Sequence, residues 1–213
     1  MFKNARDGIG KIYISELMML IASVITLIGT VVGMTTVQTS TTEASETDLA
    51  VLGVFVLVFA IVALIAFILN IVGLAKARKD EENFNKAFML TFVGLAASII
   101  SSFFSNNKNL SDSFNVVIDL IWLLVTIFII IGVVSLAKQT NHSAVAQKGE
   151  NLLKVIIGVE ILALVIKAVG VICAIAKTGQ TVTVILSMIA GAVTVVYHII
   201  YITLLGNAKK MLE

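Results

Sequence analysis

Proline is absent from all 213 residues, where an average chain carries about 5%. Transmembrane helices often use proline to open a kink or a break. The helices of this chain are therefore expected to run straight, which disfavours transport sites built on proline-broken helices. Cysteine occurs once, as Cys173 inside an apolar run, so no intramolecular disulfide exists and the redox compartment cannot be read from it. Charge is scarce as well: 13% of residues are Asp, Glu, Lys or Arg, against about 25% in soluble domains. The net charge of +2, with Lys and Arg spread through short connections rather than gathered on one face, excludes nucleic acid as a partner. Catalytic signatures are missing too: there is no His-Glu-x-x-His, no Gly-x-Ser-x-Gly and no Walker loop. An enzyme is not expected, and neither a cofactor nor a metal site is predicted. Haem ligation by His198 and His142 is geometrically poor, since His142 lies in the polar connection between spans four and five.

What the chain does have is apolar length. Hydrophobic residues make up 59% of it, and the mean hydropathy is +1.06. Continuous apolar runs cover Ile12–Val37, Leu49–Ala75, Ala87–Phe104, Phe114–Ala137, Leu152–Ala176 and Val182–Leu205. A helix rises 1.5 Å per residue and the hydrocarbon core is about 30 Å thick, so about 20 residues suffice to cross it. The expected fold is an all-α integral membrane protein of six spans, with residues 1–213 forming a single membrane domain and the lipid bilayer as its first partner. The first run follows Lys3, Arg6 and Lys11 as a signal peptide would, but it is too long for an h-region and reads as a retained anchor.

Orientation follows from the connections. Lys3, Arg6 and Lys11 precede span one, Lys76, Arg78, Lys79 and Lys86 lie between spans two and three, Lys138, Lys148 and Lys154 sit about the connection of spans four and five, and Lys209 and Lys210 follow span six. The other side holds Lys108 and Lys177, and its loop 38–48 carries Glu43, Glu46 and Asp48 with no basic residue. This bias predicts cytoplasmic N- and C-termini.

The connections also repeat. Gly73-Leu74-Ala75-Lys76 ends span two, Ser135-Leu136-Ala137-Lys138 ends span four, and Gly206-Asn207-Ala208-Lys209 ends span six, while Lys11, Lys86 and Lys154 stand at the starts of the odd spans. A loose period near 70 residues predicts three tandem helical hairpins of one orientation. In outline this plan resembles the three-hairpin organisation of the mitochondrial carriers. That family's signature begins with proline at the odd-span ends, which this chain lacks, so the resemblance covers topology alone and implies no substrate. Tetraspanins and claudins are marked by outer-loop cysteines, which are also missing.

Small residues four apart let helix backbones approach closely in lipid. They occur as Gly29 and Gly33, Gly94 and Ser98, Gly170 and Ala174, and Ser187 and Gly191. These are the predicted packing faces, toward the bundle itself, a second copy or another membrane subunit.

Ionisable groups at bilayer depth cost at least about 2.5–3.5 kcal/mol on insertion scales and mark structural or functional contacts. Glu160 and Lys167 project from one face of span five, nearly two turns apart, so each is expected to meet a neighbouring span. Depth matching pairs Glu160 with His198, beside Tyr197 and Tyr201, and pairs Asp119 with Lys167, whose stem can snorkel outward. Glu16, near the start of span one, is expected to reach headgroup water or Lys11 and is given no special role. The expected function is a non-enzymatic structural or accessory subunit of a membrane assembly, as a homo-oligomer or with other membrane subunits. The alternative is a small solute or ion transporter or channel with a polar path through spans four to six.

Overall fold

In a computed structural model, the backbone is described for residues 2–39, 46–104, 108–175 and 180–213, and the side chains for 2–25, 57–104, 114–159, 162, 189, 192–193 and 195–213. Six α-helices account for nearly all of this: α1 (Lys3–Thr39), α2 (Glu46–Ala77), α3 (Glu82–Phe103), α4 (Lys108–Gln139), α5 (Ser143–Ile175) and α6 (Gln180–Met211). Among the described residues there is no strand. Among the described residues, four stretches are long and apolar enough to cross a membrane: Lys3–Ile25, Leu57–Ala77, Glu82–Phe103 and Phe114–Gln139. Many of their large apolar side chains point outward, such as Leu57, Ile61, Leu64 and Ile68 on α2 and Met89, Val93 and Ile100 on α3. An outward apolar surface of this kind is compatible with lipid as the surrounding solvent.

The helices overrun the apolar runs. α1 starts at Lys3 rather than Ile12, and α5 at Ser143 rather than Leu152. Hydropathy sees only the segment that tolerates lipid, whereas backbone hydrogen bonding continues into polar turns until a cap or a turn stops it. Between α4 and α5 the stop is Asn141, which adopts φ 58°, a left-handed geometry that asparagine tolerates. The amide of His142 then donates to the Ala137 carbonyl at 2.8 Å and that of Asn141 to Lys138 at 3.2 Å, the two bonds of a Schellman closure. Between α2 and α3 the turn supplies caps in both directions. Glu81 accepts from the Asn83 amide at 2.7 Å at the start of α3, and Asp80 reaches across to α1. There one carboxylate oxygen accepts from the Ala5 amide at 2.7 Å and the other from Asn4 Nδ2 at 3.0 Å, satisfying an orphan amide in the first turn.

The chain divides into two compact units. The first contains Met1–Tyr13, Leu69–Val155 and Thr203–Glu213. Here α1 and α2 touch backbone to backbone: a Cβ on Gly8 would lie 2.5 Å from the Gly73 carbonyl oxygen, and one on Gly73 would lie 2.7 Å from that of Gly8. α3 packs along α4, with Gly94 3.3 Å from the Trp122 ring measured from the position of a Cβ. Gly132 makes room for the fully buried Phe84, and Gly149 for Val134. The second unit contains Ile14–Ile68 and Ile156–Ile202. In it the buried Ser15 hydroxyl donates to the Ala66 carbonyl at 2.7 Å, fixing α1 to α2.

Candidate intramembrane polar site

On α1, Ile12, Ser15 and Ala22 are buried, a spacing of three and seven that makes one helix face. Glu16 sits beside this face, about one turn inside the start of the apolar run. On α6, Tyr201 and Ile202 are buried, and they share the face of His198 by three- and four-residue spacing. The second unit brings these two helix faces into contact through their polar members. His198 Nδ1 lies 3.0 Å from Glu16 Oε2, with side-chain exposures of 12% and 13%.

With Glu16 ionised, the hydrogen between them belongs to Nδ1, since a carboxylate only accepts. A charge-assisted bond of this kind is roughly twice as strong as a neutral one. When His198 is doubly protonated the pair is net neutral, which lowers the cost of placing both groups near hydrocarbon. Two tyrosines close the site on the α6 side. The Tyr197 ring meets the His198 ring edge-on at 5.1 Å, and Tyr197 and Tyr201, one turn apart, are stacked at 5.8 Å with 22° between ring planes. Tyr201 is 1% exposed, and its hydroxyl has no hydrogen-bond partner among the described residues. A buried hydroxyl left in that state costs about 1–3 kcal/mol.

The expectation for Glu16 is corrected here: its carboxylate meets His198 Nδ1 at 3.0 Å rather than headgroup water or Lys11. Its signal in the sequence is a serine–glutamate pair interrupting an apolar run, a polar step that lipid alone would not tolerate. His198, Tyr197 and Tyr201 lie together on α6. Glu160 and Lys167 lie on α5, their side chains outside the described residues. Asp119 is half-buried on α4 and engaged in an interaction.

Of the small-residue pairs, Gly94 is buried against α4, and the Ser98 hydroxyl donates back to the Gly94 carbonyl at 2.9 Å. The side-chain positions of Gly29, Gly33, Gly170, Ala174, Ser187 and Gly191 fall outside the described residues. Gly8 and Gly73 form a closer helix contact, one that four-residue spacing within a single helix does not reveal. Among the described residues no three His, Cys, Asp or Glu side chains converge as metal ligands would. No protein family, curated protein or solved structure matches this chain.

Proposed function

We propose that this chain is a six-span integral membrane protein, built as three tandem hairpins with both ends on the cytoplasmic side. In this reading it serves as a non-enzymatic structural or accessory subunit of a membrane assembly. The observation that carries the reading is the closed Glu16–His198 pair. A carboxylate and an imidazole that satisfy each other at low exposure act as polar glue between helices, with little of either group presented to a solute. The lengths of α5 and α6, 33 and 32 residues, support six spans, since each reaches about 50 Å at 1.5 Å per residue. The basic bias of one set of connections supports the orientation.

The test is chemical crosslinking in native membranes followed by purification in mild detergent. A stable oligomer or a defined membrane partner is expected; a clean monomer in both settings overturns the assignment.

A second reading, a transporter or channel with a polar path, is favoured by the Tyr201 hydroxyl, which is buried beside the Glu16–His198 pair and has no hydrogen-bond partner among the described residues. Glu160, Lys167, Asp119 and His198 would supply that path. Neutral replacement of Glu160 and Lys167 separates the two readings: a subunit keeps its assembly, whereas a transporter loses flux.

A further inference from the structure

In the first unit the carboxylates around the lysine-rich connections are already engaged. Asp7 faces Arg6 and Lys76 at 3.6 Å each, Glu82 faces Lys86 at 3.4 Å, and Glu150 faces Lys138 at 2.7 Å. Asp80 caps α1, and Glu81 caps α3. Glu213 reaches Lys209 only at 4.0 Å. Among the described residues this leaves Lys3, Lys11, Lys79, Lys148, Lys154 and Lys210 with no carboxylate at ion-pair distance, a surplus that internal pairing does not absorb.

Two of these cations, Lys11 and Lys210, lie where α1 and α6 run side by side, flanking Lys209, whose Glu213 partner stands at the 4.0 Å limit of an ion pair. A Cβ on Gly10 would lie 3.9 Å from Lys209 Cδ and Cε, and one on Gly206 would lie 3.3 Å from the Tyr13 ring. The lack of a side chain at Gly10 lets the Lys209 stem lie across α1 at the residue that precedes Lys11 in sequence. Lys209 and Lys210 are exposed, and Lys11 and Tyr13 are half-buried. Tyrosine prefers the boundary between hydrocarbon and headgroups; Lys11 stands about half a turn before Tyr13, and Lys209 and Lys210 about one turn beyond Gly206, which Tyr13 touches. That is the depth of lipid phosphates.

We propose that Lys11, Lys209 and Lys210 form a binding site for the headgroup of an anionic phospholipid, with Tyr13 setting its depth. The charge count gives the sign of the ligand, and the position next to an interfacial tyrosine selects a lipid phosphate over a free one. A lysine near an anionic bilayer surface contributes about 1 kcal/mol of attraction, which is roughly fivefold in lipid preference for each. The inference rests on the membrane reading above, and its failure is distinguishable. Release of the protein from native membranes by alkaline extraction defeats the membrane reading itself, whereas an embedded protein without lipid preference defeats only the headgroup site.

The experiment is native mass spectrometry of the intact chain offered equal amounts of phosphatidylglycerol and phosphatidylcholine. The wild type is expected to retain phosphatidylglycerol in preference. The combined variant Lys11→Gln, Lys209→Gln and Lys210→Gln should lose that preference by about tenfold or more, while the three arginine replacements should keep it. Should the glutamine variant fail to fold, the wild type decides alone: its preference must collapse at high salt, where screening removes it. Equal retention of both lipids, an unchanged preference in the glutamine variant, or insensitivity to salt overturns the site. Displacement of the lipid by inorganic phosphate at matched concentration overturns the commitment to a lipid source.

Discussion

His198 on α6 holds Glu16 on α1 at 3.0 Å, with both side chains nearly buried. Removing one partner strands the other at low exposure, a situation that costs more than the bond was worth. Glu16→Leu and His198→Leu should each lower stability in detergent by about 1–3 kcal/mol. The double variant should be no worse than either single one, because an apolar pair leaves nothing stranded. Thermal unfolding of the four proteins checks this. Strict additivity of the two losses would mean that the residues do not interact.

Tyr201 makes the opposite prediction. Its ring fills the second unit's core, yet its hydroxyl finds no partner among the described residues. Tyr201→Phe keeps the ring and deletes the orphan group, so stability should stay level or rise by about 1 kcal/mol. A fall of similar size would reveal a partner for the hydroxyl. Loss of a transport activity without loss of stability would favour the polar-path reading.

The four apolar stretches were legible because hydrophobic length is read in one dimension and needs no partner. The Glu16–His198 contact was not, because depth counted from the span ends favours Glu160 for His198 and places Glu16 nearer the surface, while saying nothing about which helices are neighbours. Lateral order around a bundle is set by packing of whole faces, which a linear pattern does not encode. The same limit hid Gly8 and Gly73. Four-residue spacing finds a smooth stripe on one helix, whereas these two glycines are single residues on different helices, each needed only because the other is there. Gly94, by contrast, belongs to such a stripe and also meets α4. The turn between α4 and α5 was not legible for another reason: capping by Asn141 and His142 depends on backbone geometry in a polar segment that carries no hydrophobic signal.

Glu150 supplies a pH-dependent term. Its hydrogen bond with Lys138, and then the Lys138 charge, hold the carboxyl below the ordinary glutamate range. A carboxyl depressed in the folded state contributes stability that is present above its unfolded pKa and is lost as the pH falls through the folded value. The contribution is small because the pair is open to solvent. Carboxyl NMR should place the Glu150 midpoint below that of a free glutamate, and Lys138→Gln should raise it. An unchanged midpoint in Lys138→Gln would show that the pair does not persist in solution.

Two glycine substitutions of the same size should have opposite signs. At Gly73 a new methyl would stand 2.7 Å from both the Gly8 carbonyl oxygen and Ile12 Cγ1. One obstacle is backbone and the other lies in a fully buried side chain, so α1 and α2 must separate. Overpacking of that kind typically costs 1–3 kcal/mol, to which is added the loss of the contacts that pinned the helices together. At Gly158, within α5, a Cβ meets no atom of the described residues within 4 Å, and alanine restricts the unfolded chain more than glycine does. Gly158→Ala should therefore stabilise by about 0.5–1 kcal/mol, while Gly73→Ala should destabilise despite its better helix propensity. Unfolding midpoints measured side by side in one detergent decide the matter. If both variants are stabilised, helix propensity outweighs close approach, and the backbone contact between Gly8 and Gly73 does not hold α1 against α2.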